Sequence, residues 1–364
     1  MRKHRAIAGF TLTEALVSSS VLAMVLGLVL SMTDQTQKLM RGTSSKVEQF
    51  REARIAFDTL SRRLSQATLN TYWDHKYETV SQNIAGRKVH VRMPVGYERG
   101  SELRFRCGRM AELNGRHGKN FQPTHGVFFQ APNGYVEDTA EHGALDHLLN
   151  TWGYFLELNT DDEFVPDFIK GKVSGRKRFR LMELMQPSEE LSVYQFQLPK
   201  TTEWFGPLIN SKNRPVRALC ENIVALILLP KLSPADEDAQ IREGRSTLLA
   251  PFYRYDTTQS SEDPVLNPKH QLPPNLELVM VAIDEASATR LEGDYRNQAA
   301  LGMDYGSLFT RPELLHDNPG TQTPGDGDIA KFESMLSQRL RVSYRVFTTV
   351  VSIRGAKWSR SQEH

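Results

Sequence analysis

The residues from Phe10 to Met32 form an apolar run of 23 residues in which Glu14 is the one charged side chain. About 20 apolar residues in a helix are enough to cross the hydrocarbon core of a bilayer. The run therefore predicts a membrane-spanning helix. The rest of the chain is expected to fold while tethered to a membrane.

Basic residues stand directly before this run, at Arg2, Lys3, His4 and Arg5. The positive-inside rule keeps such an end in the cytoplasm. We therefore expect a single pass, with everything after Met32 facing outward.

The position of the small residues argues against a cleaved secretory signal. A signal peptide places its small-residue cleavage site after the apolar run, and no A-x-A pattern occurs between Met32 and Arg41. Instead, Gly9 lies between the basic residues and the run. Cleavage at Gly9 would remove the positive charges and keep the helix.

The stretch GFTLTEALV, placed behind a short basic leader, resembles the N-terminal motif of type IV prepilins and type II secretion pseudopilins. The resemblance implies that residues 1–9 are a leader peptide, that prepilin peptidase cleaves the Gly9–Phe10 bond, and that Phe10 becomes an N-methylated terminus. It implies that Glu14 is the assembly glutamate and that other pilins or pseudopilins are partners. The implied compartment is the inner membrane, with the body in the periplasm.

The chemistry of Glu14 supports the same interpretation. An ionised carboxylate among apolar residues costs roughly 2.5 kcal/mol or more in the membrane, so it requires a cation. After cleavage, the new α-amino group of a neighbouring subunit can meet it in a staggered filament. The family's usual proline kink is missing between Gly27 and Ser31, so no kink is predicted.

Past Met32 the pattern becomes amphipathic, with apolar residues at three- and four-residue steps and charged residues on the other face. We expect one helix from about Phe10 to Leu69, with residues 10–32 in the membrane or filament core and residues 33–70 packed on a globular domain. A coiled coil is the alternative. The apolar stripe consists of Val47, Phe50, Ala53, Phe57, Leu60, Leu64 and Ala67.

Residues 80–358 are typical of a β-rich periplasmic domain, because short apolar runs are separated by polar, proline and glycine loops. The predicted fold class is therefore α+β, a long N-terminal helix packed on an antiparallel sheet as in pilins. Residues 233–274, with six prolines, are expected to be a long loop. Helices are expected at Glu141 to Asn150 and Asp328 to Leu340. The expected strands are Lys88 to Met93, Glu102 to Cys107, Gly126 to Gln130, Gly153 to Leu158, Arg178 to Met185, Ser192 to Leu198, Ile223 to Leu229, Leu276 to Ile283 and Val342 to Ile353.

The size of the body resembles that of the J-type minor pseudopilins, since major pilins are usually much shorter. The stretches LCENIVALILLPKL and LPPNLELVMVAIDEA resemble late core strands of that class. The closing run LSQRLRVSYRVFTTVVSIRGAKWS resembles the pilin-like family Verru_Chthon cassette protein C. That second resemblance implies a role in export or surface assembly, without a known reaction.

The remaining composition points to no particular reaction. The net charge is +2, so no whole-molecule field attracts nucleic acid, and two cysteines exclude a thiolate zinc cluster. Cys107 and Cys220 could form one bridge in an oxidising compartment or remain two thiols. No nucleophile elbow, P-loop, dinucleotide fingerprint or zincin helix is found, so neither enzymatic activity nor a cofactor is expected.

Two stretches are weak candidates for ligands. Asp326 and Asp328 offer oxygen atoms to calcium, although the full loop pattern is missing and Asp328 has a simpler role as a helix N-cap. Gly171 to Arg180 is the densest basic stretch, and pilin-like proteins of DNA uptake use such patches. The alternation of Arg178 and Arg180 with apolar residues favours a strand with one solvated face, so nucleic acid is not expected as a partner.

The function expected from these features is that of a minor pilin or pseudopilin subunit at or near the tip of a type II secretion or type IV pilus-like filament. The alternative is a pilin-like surface adhesin or DNA-uptake receptor that uses the same N-terminus for delivery. A third hypothesis is an ordinary membrane-anchored protein, whose mature terminus would still carry Met1 to Gly9.

Overall fold

The structure is a computed structural model and describes residues 11–84, 87–115, 120–142, 148–161, 168, 172, 175–195, 204–211, 213–292, 305–317 and 325–359. The chain divides into two units, Met1–Gln49 and Phe50–His364. Its fold class is α+β, with a long N-terminal helix and antiparallel sheets, as predicted.

Helix α1 runs from Leu12 to Leu64. The segment contains no proline, and Arg62 and Arg63 lie in its last turn, where cations complement the helix dipole. The chain leaves the helix through tighter bonds, from Gln66 N to Arg63 O and from Ala67 N to Leu64 O. The helix thus ends five residues before the predicted Leu69.

The described residues form eleven strands and seven further α-helices, besides short 3-10 turns. The strands are β1 (Tyr72–Ile84), β2 (Arg87–Gly100), β3 (Arg106–Arg109), β4 (His125–Pro132), β5 (Leu149–Thr160), β6 (Lys177–Gln186), β7 (Val216–Glu221), β8 (Ile223–Lys231), β9 (Tyr255–Asp256), β10 (Asn275–Ile283) and β11 (Tyr344–Ser352). The helices are α2 (Met110–Leu113), α3 (Thr139–His142), α4 (Ser192–Gln195), α5 (Gly206–Asn210), α6 (Pro234–Arg242), α7 (Glu285–Leu291) and α8 (Asp328–Ser334), which a π turn at Met335–Arg339 extends.

The larger sheet has six antiparallel strands in the order β7-β6-β5-β4-β3-β9. Alternate side chains of β5 enter different cores, since strand residues point to opposite faces in turn. Trp152 and Tyr154 share a core with α1, whereas Phe155 packs in a separate cluster with Phe205. A Cβ at Gly153 would lie 2.5 Å from the ring of Phe128, so only glycine lets that ring pack flat on the strand.

The smaller sheet has three antiparallel strands in the order β11-β10-β8. The β8 run IVALILLP is buried on both faces, which explains its nearly continuous apolar sequence. Leu226 and Leu228 face the core shared with α1, and Ile227 faces the cluster that contains Leu291 of α7 and Phe332 of α8. The smaller sheet is therefore covered by helices on both sides.

Side chains at the start of β4 join the two sheets. Leu226 N donates to Thr124 Oγ1 at 3.2 Å, and Leu228 N donates to His125 Nδ1 at 3.1 Å. His125 is fully buried, and its Nε2 donates to Phe309 O at 3.1 Å. Both ring nitrogens of His125 are thus used by a neutral imidazole.

The C-terminal turns of α1 complete the core between the sheets. Ala53, Phe57, Leu60 and Leu64 are buried in one cluster with strands of both sheets. The rings of Phe57 and Phe347 lie 5.7 Å apart. Of the predicted apolar stripe, Ala53, Phe57, Leu60 and Leu64 therefore form the buried face of this part of α1, Ala67 is buried just beyond the helix, and the side chain of Val47 lies outside the described residues.

Strands β1 and β2 form a two-stranded antiparallel hairpin of their own, with a bulge opposite Lys76 and Tyr77. Most of its side chains are exposed on both faces. One face, which we call the aromatic face, carries no acidic residue. Its members include Trp73, His75 and Tyr77 of β1 and Arg92, Tyr97 and Arg99 of β2.

Several local predictions are wrong. Ser192 to Leu198 was expected as a strand, but Ser192–Gln195 is helix α4, where the Ser192 hydroxyl bonds to Gln186 Oε1 and Trp204 O. Of the helix expected at Glu141 to Asn150, Glu141 and His142 belong to α3, residues 143–147 lie outside the described residues, and β5 already begins at Leu149. The expected loop at 233–274 contains helix α6 and strand β9. Ser233 caps α6 by accepting from Asp236 N.

The burial of His125 predicts a specific loss of stability in acid. Burial lowers the pKa of His125 to about 4, and burial beside cations lowers the pKa of His270 to about 4. Between pH about 6.5 and about 4, the unfolded chain binds protons that the folded chain does not bind. Each group should therefore lower the free energy of unfolding by up to about 1.4 kcal/mol per pH unit as the pH falls.

This prediction can be checked by denaturant unfolding of the full chain in detergent, followed by tryptophan fluorescence over that pH range. His125→Gln should show a shallower dependence than the wild type, because only His270 remains of the two groups. If the free energy of unfolding depends on pH equally in the two proteins, protonation of His125 is not the cause of the lost stability.

Candidate functional site

The first turn of α1 is built as a capping box around Glu14. Thr11 N donates to Glu14 Oε2 at 3.1 Å and Thr11 Oγ1 donates to the same oxygen at 3.0 Å, while Glu14 N donates to Thr11 Oγ1 at 3.4 Å. A threonine at the N-cap with glutamate three residues later is the sequence signature of this arrangement. Sequence reasoning missed the role of Thr11, although T-x-x-E is visible in the motif.

The apolar segment of α1 extends from Leu12 to Gln37 and is exposed throughout. Its 26 residues give a helix of about 39 Å, compared with a hydrocarbon core of about 30 Å. It is the one described helix that is long and apolar enough to cross a membrane. Gly9 and Phe10, the predicted processing residues, lie outside the described residues.

Four of the hydroxyl groups within this segment are satisfied by the helix itself. Ser20 Oγ donates to Leu16 O at 2.8 Å, and Thr33 Oγ1 donates to Val29 O at 2.7 Å. Ser19 and Thr36 make similar bonds to preceding carbonyl groups. These polar side chains therefore place no unsatisfied donor on an otherwise apolar surface.

At the other end of α1, Arg63 enters a buried polar cluster under the larger sheet. Its guanidinium group contacts the carboxylate of Glu183 and donates to Tyr154 Oη at 2.9 Å. Tyr154 Oη donates to Glu183 Oε1 at 2.8 Å, and Arg217 forms an ion pair with the other carboxylate oxygen. Arg63 also lies 4.1 Å above the ring of Trp152, a cation–π geometry.

Glu183 is fully buried, so the cluster replaces the water that its charge would otherwise bind. Burial raises the pKa of Tyr154 well above its usual range, which keeps the phenol a neutral donor. The arrangement fixes the rotation of the last turns of α1 against the larger sheet, because Arg63 pairs from the helix with Glu183 of β6. Sequence reasoning missed this polar cluster, because its members are about a hundred residues apart in the sequence.

The two cysteines do not form a bridge. Both are buried free thiols, Cys107 on β3 and Cys220 on β7. Three strands separate β3 from β7, and at about 4.8 Å per step the two residues are roughly 19 Å apart. A disulfide requires Cα atoms within about 7 Å, so the fold excludes it.

The acidic candidates for calcium are engaged in local structure. Asp328 Oδ2 accepts from Phe309 N at 2.8 Å, and burial raises the pKa of Asp328, which disfavours the charged form that a cation needs. The N-cap of α8 is Gly327 and not Asp328, which corrects the predicted cap. Asp326 follows the turn that Asp317 holds through Gly325 N. The part of the chain that the structure describes contains no cluster of three or more potential metal-binding side chains.

Two arginines of the basic stretch, Arg178 and Arg180, lie on strand β6 and are buried. Strand β6 lies inside the sheet and is not an edge, and Arg178 and Arg180 each expose only 1% of their surface. Arg178 pairs with Glu285 and Glu292 at 2.9 Å each. The predicted solvated face is wrong, because these arginines are neutralised inside the protein and cannot reach a phosphate backbone.

Comparison of the chain with protein-family models, with curated proteins and with solved structures finds no match.

The buried Arg63–Glu183 pair predicts that substitutions of two adjacent arginines will change stability by different amounts. Arg63→Met should lower the free energy of unfolding by about 3 kcal/mol, because it leaves the buried carboxylate of Glu183 with Arg217 alone. Arg62→Met, one residue away on the exposed face, should change it by less than about 0.5 kcal/mol. Denaturant unfolding followed by tryptophan fluorescence measures both.

Adding Glu183→Gln to Arg63→Met should recover part of the loss, since a neutral amide has no charge to neutralise. Equal effects of the two arginine substitutions, or no coupling in the double variant, would show that Arg63 does not stabilise the buried charge of Glu183.

Proposed function

We propose that this chain is a minor pilin or pseudopilin that prepilin peptidase processes at the Gly9–Phe10 bond. In this proposal it assembles at or near the tip of a type II secretion or type IV pilus-like filament. One observation carries the proposal: in the exposed apolar helix Leu12–Gln37, the run up to Met32 has its single carboxylate, Glu14, in the first turn and follows a basic leader that ends in glycine. The chain would be held in the inner membrane, with its body in the periplasm.

The exposed apolar surface of the segment suits two environments. In a bilayer it is covered by lipid, and in a filament it is covered by the helices of neighbouring subunits. Association of helices within a membrane gains from close packing of small residues, which Ser18, Ser19 and Ser20 supply. A subunit can therefore pass from membrane to filament without a change of fold in this helix.

The capping box orients Glu14 and leaves one of its carboxylate oxygens available for a partner in the filament. Thr11 bonds only Oε2, so Oε1 has no hydrogen-bond partner among the described residues. In the proposal, that oxygen binds the methylated α-amino group of an adjacent subunit at the same depth. Since an unpaired carboxylate is costly in the apolar layer, correct register would be favoured over any displaced arrangement.

The C-terminal turns of α1 supply the second requirement of such a subunit, a body that is firmly held by its own helix. The stripe that includes Phe57 and Leu60 is buried between the sheets, and the Arg63–Glu183 pair fixes its rotation. In the proposal, the body is thus held firmly on the last turns of α1. No reaction is assigned to it.

A specific observation favours the second candidate, a pilin-like adhesin or receptor. The aromatic face of the hairpin exposes 44% of Trp73, 44% of Tyr77 and 48% of Tyr97, together with Arg92 and no carboxylate. Exposed aromatic rings beside cations are common in binding surfaces. In this case the filament helix would deliver a body whose hairpin makes the contact.

The two roles available to Glu14 predict different results for one substitution. Glutamine at this position still completes a capping box but has no charge. If Glu14 pairs with an amino terminus, Glu14→Gln should insert into the membrane but be depleted at least about tenfold from the sheared filament fraction, as quantified by immunoblotting against the membrane pool.

Thr11→Ala provides the matched control, because it removes the cap and keeps the carboxylate. It should cost about 1 kcal/mol of local helix stability and leave incorporation close to the wild-type level. Normal incorporation of Glu14→Gln together with loss of Thr11→Ala would assign Glu14 to capping alone and refute the pairing.

A further inference from the structure

A pocket of about 320 Å³ lies at the base of the β1–β2 hairpin. Segments that are far apart in the sequence meet there: the start of β1, the end of β2, the loop before β10 and the residues after β11. We call it the hairpin pocket and define it by Thr71, Trp73, Arg99, His270, Gln271 and Lys357. None of the residues that line it is acidic.

Arg99 is buried in the wall of this pocket, with 9% of its surface exposed. Its Nη1 donates to Gln271 Oε1 at 2.6 Å and to Lys357 O at 3.4 Å. Both acceptors are neutral, and Arg99 has no carboxylate partner within ion-pair distance among the described residues. Its Nε and Nη2, which point along one edge of the guanidinium group, have no acceptor there either.

Other buried arginines in the body are neutralised by carboxylates. Arg180 pairs with Asp161 at 2.7 Å and Arg214 pairs with Glu157 at 2.6 Å, while Arg106 lies 3.3 Å from Asp256. Arg104 has no ion pair at such a distance. Burial lowers the pKa of Arg104, and the negative charge of Asp256 opposes this effect. Burial alone acts on Arg99 and lowers its pKa, since no acid opposes the effect.

Positive charge predominates around the pocket. Lys357 is exposed and has no acidic partner among the described residues. The nearby carboxylate of Glu98 is held by Lys269 Nζ at 3.2 Å. A buried cation without a counter-ion is costly, so the site gains more from an anion than an exposed arginine would.

We infer that the hairpin pocket binds an oxyanion, a carboxylate or a phosphate group, through the free edge of Arg99 and the charge of Lys357. Two parallel N–H groups match the two oxygens of either anion, and such charge-assisted pairs are the strong hydrogen bonds of proteins. The ring of Trp73 forms an apolar wall for the group that carries the anion. Binding of this kind is independent of the proposed role in a filament.

The test is calorimetric titration of the full-length protein in detergent at low salt with three probes. Sodium glucuronate and inorganic phosphate carry the two anions, and glucose is the neutral match of glucuronate. The wild type should bind at least one of the two anions and should not bind glucose. Binding of glucuronate only, or of phosphate only, supports the site and identifies which anion it takes.

Three variants test whether the heat measured in the titration arises from anion binding in this pocket. Arg99→Gln should weaken anion binding at least about tenfold and Lys357→Ala about fivefold. Arg87→Ala, which removes an exposed arginine from the far end of the same strand, should leave binding unchanged. Because Lys357 is exposed, its variant keeps the test valid even if Arg99→Gln unfolds, which tryptophan fluorescence would reveal.

The inference is overturned if neither anion binds better than glucose. It is equally overturned if Lys357→Ala and Arg87→Ala bind the anions as well as the wild type.

Discussion

The burial of one face of α1 between the two sheets is the contact on which the fold of the body depends. Among the described strands, the six-stranded and three-stranded sheets are not hydrogen-bonded to each other through a backbone ladder. They share a core with Ala53, Ala56, Phe57, Leu60 and Leu64. Each large side chain in this stripe stabilises the body by about 1.5 to 3 kcal/mol through burial, and the alanines let the helix approach closely. The sheets also meet directly in a second cluster, where Leu158 and Phe179 of the larger sheet pack with Ile227 of the smaller one.

A second feature of the body is that charges are buried together with their counter-ions. Glu183 and Glu157 are almost fully buried, and each is neutralised by an arginine. These pairs fix orientation, because a shift of one strand or helix leaves a charge unpaired in a low-dielectric region. The same rule makes Arg99 conspicuous, since its described partners are neutral.

The sequence predicts the features that depend on local patterns. The long helix, its apolar stripe, the α+β class and the antiparallel strands follow from periodicity, and the T-x-x-E signature contained the capping box even though it was not recognised. What the sequence could not predict depends on contacts between distant segments. Arg178 and Arg180 alternate with apolar residues as on a solvated strand, yet their partners lie up to 114 positions away. Ser192 to Leu198 alternates like a strand, but Ser192 lies in the helical turn α4, from which its hydroxyl donates to Gln186 Oε1 on β6 and to Trp204 O. The Cys107–Cys220 alternative could be decided only by strand order.

In the proposed role, the apolar helix begins a processed subunit, so that Glu14 lies four residues from a new amino terminus. The most direct measurement is mass spectrometry of the N-terminal peptide of the native protein, beside that of a Gly9→Ala variant. We expect a wild-type terminus at Phe10 that carries one methyl group, and an uncleaved terminus in the variant. A wild-type protein that retains residues 1–9 would contradict processing at Gly9 and leave α1 as an ordinary membrane anchor.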